Sequence, residues 1–83
     1  TRSLALAGLK YGITSNAILP GYIESDAVKL RWKPEELAAY RKAVPLRRAG
    51  CPSDIAEAVI FLAKSSYITA ELLFVTGGRF VLP

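Results

Sequence analysis

Two kinds of hydrophobic pattern alternate along this chain. Apolar positions at helical spacing predict helices over residues 2–11, 34–43 and 52–64, while short apolar runs predict strands over residues 13–19 and 72–76. The order of strand, helices and strand indicates an α/β fold in which a right-handed crossover joins two parallel strands. Because two strands alone do not make a stable sheet, we expect further strands outside this chain.

The ends of the predicted helices carry recognisable signals. Gly12 follows the first helix and suits a stop that needs positive φ, whereas Pro34 and Pro52 suit first helical positions. Residues 20–33 between them read as a loop, with room for a helical turn near residues 26–30. The pattern therefore predicts about three helices.

The 52–64 helix is apolar on nearly every side. Only Glu57 and Lys64 form a polar stripe, and Phe61 lies on that stripe, four residues after Glu57. Such a helix is covered on more than one side, so one face packs on a sheet and another needs a second body. The chain has 83 residues, of which 52% are hydrophobic, and no methionine. We therefore expect residues 1–83 to be one fragment of a larger domain.

The first predicted strand ends abruptly at Pro20-Gly21, and Tyr-Ile-Glu-Ser-Asp follows. Proline removes a ladder donor, and glycine lets its backbone pass close to another group. In open α/β sheets, ligands bind at the carboxyl ends of the strands. The pattern therefore predicts a functional site around residues 20–33.

Composition excludes several kinds of chemistry. The chain has no histidine, so it cannot hold a Ser-His-Asp or Cys-His relay. The single Cys51 supplies neither an internal disulfide nor a zinc site, and it suits a reducing, cytoplasmic setting. No apolar run reaches the roughly 20 residues of a membrane span, so no membrane partner is expected. We assign no catalytic residue and no metal ligand.

Three weaker signals each have a plainer explanation. Glu24 and Asp26 could share a loop face for acid–base work or a hard cation, although solvated loop acids are commoner. Cys51 precedes a helix, where a thiol pKa can fall, but we interpret it as a bystander at the cap position. Basic residues near Trp32 and Tyr40 contribute most of the positive charge, and the net charge of the chain is +4. Basic residues in such a pattern are typical of a solvated helix face, so we predict no nucleic-acid partner.

Short motifs recur in a fixed order along residues 1–80. They are Thr1-Arg2-Ser3-Leu4-Ala5-Leu6, Tyr11-Gly12-Ile13, Asn16-Ala17-Ile18 with Pro20-Gly21, Ile23-Glu24-Ser25, Pro45-Leu46 with Arg48-Ala49-Gly50, Pro52-Ser53-Asp54-Ile55-Ala56, Phe61-Leu62-Ala63, Tyr67-Ile68-Thr69 and Gly77-Gly78. In this order and spacing the chain resembles the carboxyl-terminal third of the short-chain dehydrogenase/reductase family. Bacterial-type 3-oxoacyl-carrier-protein reductases and glucose-dehydrogenase-like members look most similar.

The resemblance implies a doubly wound Rossmann-type parallel sheet, of which this chain holds the last two strands. It implies NAD or NADP as cofactor and a small-molecule carbonyl/alcohol pair as substrate. The family's glycine-rich turn and catalytic residues would precede this chain, so the isolated chain is expected to be inactive. The implied cofactor-binding residues are Pro20, Gly21, Ile23 and Ser25. Backbone groups near Ile23 would hold the nicotinamide carboxamide, and Ser25 replaces a usual threonine.

The resemblance also implies a mobile substrate lid over residues 26–45, and a homo-oligomer that contacts itself through the Phe61 helix and strand 72–76. Some positions depart from the family pattern: Ser15 replaces a usual valine and Ala70 a usual glycine. An alternative is therefore a non-catalytic assembly module, or a decayed relative, that uses its apolar last helix and strand as an interface. A Tyr-x-x-x-Lys motif shortly upstream would favour the enzyme.

Overall fold

The computed structural model describes residues 1–79, and its elements follow the predicted order. The helices are α1 (Arg2–Gly8), α2 (Asp26–Arg31), α3 (Pro34–Lys42) and α4 (Pro52–Lys64), and the strands are β1 (Ala17–Pro20) and β2 (Leu72–Val75). The described part of the chain has four α-helices instead of about three, because the turn expected near residues 26–30 is a full helix, α2. The predicted α/β fold with two parallel strands is confirmed.

The sheet consists of β1 and β2, paired in parallel with Ala17 opposite Leu72 and Pro20 opposite Val75. Helices α2, α3 and α4 form the crossover between them, and α4 packs against both strands. Its Leu62 is buried, whereas Phe61 stays 56% exposed. One side of α4 therefore covers the sheet while apolar side chains on the rest of the helix remain open.

The first strand is shorter than predicted, since residues 13–16 lie outside it. The backbone N–H of Ser15 donates to the hydroxyl of Thr69 at 3.1 Å. The side-chain oxygen of Asn16 accepts from the backbone N–H of Glu71 at 3.0 Å. These polar residues therefore fasten the loop before β2 to the start of β1, and they take their hydrogen bonds from that loop.

The first helix also changes character before its end. The predicted helix over residues 2–11 is α-helical only to Gly8 and then tightens into a 3-10 turn at Leu9–Tyr11. Gly12 follows with φ 70°, in the left-handed region expected for the stop. The predicted extent is thus correct, although its last turn is wound more tightly.

Ala70 occupies an unusual backbone conformation just before β2. Its φ is 61°, in the left-handed region where a Cβ is disfavoured. Its N–H donates to the carbonyl of Ser15 at 2.8 Å, so the turn is held in place by the neighbouring segment. The resemblance implies a glycine at this position, and a left-handed φ is the conformation that glycine adopts without strain.

We predict that Ala70→Gly stabilises the chain by roughly 0.5–1 kcal/mol, because release of the left-handed strain exceeds the entropy that glycine adds to the unfolded state. Urea denaturation measures the change in free energy of unfolding. The control Ala38→Gly lies at an exposed position inside α3 and should destabilise by about 1 kcal/mol. A loss of stability in the Ala70 variant would contradict the strain argument.

Candidate functional site

The carboxyl end of β1 lies directly against the end of β2. The N–H of Gly21 donates to the carbonyl of Val75 at 2.9 Å, which extends the ladder past Pro20. A Cβ on Gly21 would lie 2.8 Å from the Cα of Thr76, closer than two such atoms can approach. Glycine at position 21 therefore allows the two strand ends to meet, and the loop that follows starts from a fixed point.

A short parallel bridge then fixes the loop over residues 22–24. The N–H of Glu24 donates to the carbonyl of Gly50 at 2.9 Å, and the N–H of Gly50 donates to the carbonyl of Tyr22 at 3.0 Å. The bridge uses backbone groups of Tyr22 and Glu24, so the N–H and C=O of Ile23 take no part in it. Ile23 is thus held rigidly with its own polar backbone groups outside this ladder.

Glu24 forms a two-bond ion pair with Arg41. Its carboxylate accepts from Arg41 twice, at 2.7 Å from Nε and 2.7 Å from Nη2, in a side-by-side arrangement. Glu24 is only 7% exposed. The Arg41 guanidinium holds the pKa of this carboxyl below its usual value, although burial acts in the opposite direction. The ion pair therefore ties α3 to the loop after β1.

The interpretation of Glu24 and Asp26 as solvated loop acids is wrong for Glu24, which is buried and ion-paired. Asp26 is exposed in the first turn of α2, so the two carboxylates do not act as a pair. No group of three or more His, Cys, Asp or Glu side chains within residues 1–79 is arranged to hold a metal ion. The sequence missed Arg41 because nothing in a local pattern links positions 24 and 41.

Three aromatic rings pack beside this ion pair. The rings of Tyr22 and Tyr40 stack with centroids 5.3 Å apart, and Trp32 meets Tyr40 edge-on at 5.4 Å. Burial raises the pKa of Tyr22 to about 12, and the neighbouring Glu24 carboxylate adds to this rise. The Tyr22 hydroxyl has no hydrogen-bond partner within residues 1–79. The rings form an ordered wall, while the basic residues around them are exposed, as expected of a solvated face.

This wall borders a cavity of about 530 Å³ at the carboxyl end of β1. Its described lining residues are Pro20, Gly21, Tyr22, Ile23, Val28, Trp32, Tyr40 and Arg79. We call it the aromatic cavity. It brings together three of the four residues predicted to bind a cofactor. The aromatic and basic lining was not predicted, although rings at positions 22, 32 and 40 around a Pro-Gly strand end were a usable signal.

The fourth predicted residue, Ser25, lies outside the aromatic cavity at the start of α2. Its Oγ accepts from the backbone N–H of Val28 at 3.3 Å, as an N-cap does. The hydroxyl hydrogen is not needed for this bond, so Ser25 can still donate to a second group. Ser25 therefore caps α2 and keeps one free donor beside the loop.

Cys51, the thiol interpreted from the sequence as a bystander, precedes the first residue of α4. Its thiol is free and exposed, and its backbone N–H donates to Oδ2 of Asp54 at 2.7 Å. That bond and the nearby Arg48 hold the pKa of the Asp54 carboxyl below its usual value.

Within residues 1–79, no helix has the length and apolar character that crossing a membrane requires.

We predict that Arg41→Ala raises the pKa of Glu24 above its ordinary value of about 4.3, because burial remains while the compensating charge is removed. The depressed pKa of the unchanged chain means that its stabilising effect is present above the unfolded-state pKa and is lost as pH falls through the folded-state pKa. An NMR titration of the Glu24 carboxyl carbon measures its pKa, and urea denaturation at several pH values measures the stabilising effect. The control Arg48→Ala removes the partner of Asp54 and should leave Glu24 unchanged; identical Glu24 curves for all three proteins would contradict the assignment.

Comparison with known proteins gives a consistent result. Residues 1–79 match the family described as Enoyl-(Acyl carrier protein) reductase. The chain is 43% identical over 81 residues to a 7alpha-hydroxysteroid dehydrogenase of Paraclostridium sordellii, covering 94% of this chain and 30% of that protein. It is 40% identical over 84 residues to a 3-oxoacyl-[acyl-carrier-protein] reductase of Vibrio harveyi, covering 99% of this chain and 34% of that one.

A solved structure shows the same agreement. A crystal structure described as a gluconate dehydrogenase from Agrobacterium tumefaciens superimposes with a TM-score of 0.85 at 32% identity, covering 100% of this chain and 34% of that one. This chain spans about a third of the length of the proteins it matches. Its two parallel strands and their helices correspond to the carboxyl-terminal piece of a doubly wound Rossmann-type sheet. The chain belongs to the short-chain dehydrogenase/reductase family.

Proposed function

We propose that this chain is the cofactor-loop and substrate-lid portion of an NAD(P)-dependent oxidoreductase that acts on a carbonyl/alcohol pair. The observation that carries the proposal is the aromatic cavity, since Pro20, Gly21 and Ile23 all line it at the carboxyl end of β1. Ligands of open α/β sheets bind at this position. The named relatives act on a hydroxysteroid and a carrier-bound 3-oxoacyl group, so the proposal extends to the reaction type and not to either substrate.

The described residues suit a nicotinamide cofactor, which supplies hydride transfer when bound. A carboxamide needs both a donor and an acceptor, and the backbone of Ile23 offers one of each outside its bridge. Ser25 adds a hydroxyl whose hydrogen is free beside the same loop. Pro20 and Gly21 present little side chain at the cavity edge, so a planar ring can approach the backbone there. Together these groups would bind and orient the cofactor.

Residues 26–45 are proposed to form the substrate lid. Helices α2 and α3 lie in this segment, and the Glu24–Arg41 ion pair attaches α3 to the cofactor loop. A lid linked in this way responds to changes in the loop that contacts the cofactor. It would also exclude water from the aromatic cavity.

The free thiol of Cys51 suits the reducing cytoplasm, where we expect the protein to work.

A chimera tests this proposal directly. Residues 1–83 would replace the corresponding carboxyl-terminal third of the Vibrio harveyi reductase, with which this chain shares 40% identity. We expect the chimera to oxidise NADH or NADPH in the presence of a ketone, and the isolated chain to show no turnover above a heat-killed control. A folded chimera that binds neither cofactor would instead favour the alternative, a non-catalytic assembly module.

In the chimera, we predict that Ser25→Ala weakens cofactor binding severalfold, because one neutral hydrogen bond is worth roughly 0.5–1.5 kcal/mol. Isothermal titration calorimetry gives the dissociation constants. Ser53→Ala is the matched control, since Ser53 is exposed in the first turn of α4 and away from the cavity. Ser25→Thr keeps the hydroxyl and should keep most of the affinity. Equal dissociation constants for the two alanine variants would remove Ser25 from the cofactor site.

We also propose that the protein assembles with a second copy through α4 and β2. Phe61 on α4 and Phe74 on β2 are 56% and 57% exposed in the described part of the single chain. Val59 and Ile60 are also about half exposed, on other sides of α4 than Phe61. Large aromatic side chains of this kind are typical of the centres of protein interfaces. An assembly of copies would cover them.

For the assembled protein, we predict that Phe61→Ala shifts the population toward smaller species, since truncating a buried phenylalanine costs roughly 3–5 kcal/mol where the site cannot collapse. Sedimentation velocity at matched concentration follows the change. Glu57→Ala, one turn earlier on the same stripe, should have little effect. An unchanged midpoint of dissociation in the Phe61 variant would show that this face is not the interface.

A further inference from the structure

The aromatic cavity is walled by the planar side chains of Tyr22, Trp32 and Tyr40. Tyr22 and Tyr40 stack nearly parallel, with 24° between their planes, whereas Trp32 stands at 85° to Tyr40. Tyr40 remains 37% exposed, and Trp32 is only half-buried. The rings therefore bury part of one another's surface and still expose apolar area to the cavity.

The wall is attached to the cofactor loop on its Tyr40 side. Tyr40 is followed directly by Arg41, whose two bonds to Glu24 pin this turn of α3 against the cofactor loop. On the other side, the N–H of Trp32 donates to the carbonyl of Val28 at 3.1 Å, a bond within the last turn of α2, and the Trp32 ring packs edge-on against Tyr40. Tyr40 is therefore stacked on Tyr22 before a ligand arrives, which reduces the entropy lost when a ring packs against this pair.

The volume and lining limit the kind of ligand. About 530 Å³ lies within the usual range for small-molecule sites, which are mostly apolar with few polar groups. Arg79 is the one charged side chain among the described lining residues. Aromatic rings pack on one another in offset or edge-on arrangements, which contribute binding free energy in addition to that from the buried area. A flexible alkyl chain does not gain this ring–ring free energy, and it loses conformational entropy when it binds.

We propose that the aromatic cavity selects substrates that carry a planar ring next to the carbonyl or carbinol carbon, with Trp32 and Tyr40 as the residues that determine this specificity. The assignment of a carbonyl or alcohol as the reacting group rests on the proposed function. The preference for a ring rests only on the wall, so the two can fail separately.

Binding of two matched ketones tests the proposal. Acetylnaphthalene is compared with a straight-chain methyl ketone that has the same number of carbon atoms, using calorimetry on the 83-residue chain and on the chimera saturated with NADP, so that in the chimera the ketone does not take the place of the cofactor. Trp32 is the single tryptophan of the chain, so quenching of its emission reports that the aryl ketone occupies this cavity. We expect the aryl ketone to bind more tightly by roughly threefold to tenfold.

Ring-removing variants locate the preference. Trp32→Leu and Tyr40→Leu should each bring the ratio of the two affinities close to one, whereas Tyr40→Phe should retain it. Tyr67→Leu is the control, because Tyr67 is 100% exposed and does not line the cavity. Equal affinity of the unaltered protein for both ketones, or a ratio that survives both leucine variants, would overturn the proposal. If the 83-residue chain alone is unfolded, the ratio measured in the chimera decides.

Turnover separates this inference from the proposed function. A chimera that reduces both ketones with the same kcat/KM would overturn the ring preference and leave the oxidoreductase assignment intact. A chimera that prefers the aryl ketone in binding but transfers no hydride would overturn the oxidoreductase assignment and support the cavity. A preference in both binding and kcat/KM supports both.

Discussion

Parallel pairing of β1 with β2 determines the arrangement of everything between them. Parallel strands cannot be joined by a tight turn, so the chain must cross over, and here it does so through α2, α3 and α4. The pairing also brings both carboxyl strand ends to one edge of the sheet. Gly21 and Thr76 meet there so closely that no side chain fits on residue 21. The loop that lines the aromatic cavity starts from this contact.

From that starting point, the loop is fixed by two long-range contacts of different kinds. The backbone bridge to Gly50 fixes its path, and the ion pair between Glu24 and Arg41 fixes the helix that lies over it. Arg41 remains partly exposed while Glu24 does not, so the carboxylate depends on its partner more than the guanidinium does. Helix α3 is therefore held against the cavity by this ion pair, by the burial of Leu37 and by the stacking of Tyr40 on Tyr22.

The sequence predicted the local elements well where local chemistry determines them. Helix α4 begins and ends where Pro52 and the apolar pattern predict, and Gly12 takes the left-handed conformation expected of it. The sequence pattern placed the start of β1 too early, because Ser15 and Asn16 form their hydrogen bonds with a loop that is distant in sequence. The partner of Glu24 and the meeting of three rings were missed for the same reason. Pro20, Gly21 and Ile23 line the aromatic cavity at the Pro-Gly strand end that the sequence marks, and their role in cofactor binding stays a prediction.

Asn16 and Glu71 form their hydrogen bond across 55 positions of sequence. During synthesis, β1 therefore leaves the ribosome well before its neighbour exists. At about 5–20 residues per second, the open strand edge and the amide side chain of Asn16 wait for several seconds. Throughout that interval the nascent chain carries an unpaired template for β-addition. β2 is translated after β1 and completes this strand pair, so a pause or truncation near residue 71 would leave the β1 edge open to aggregation.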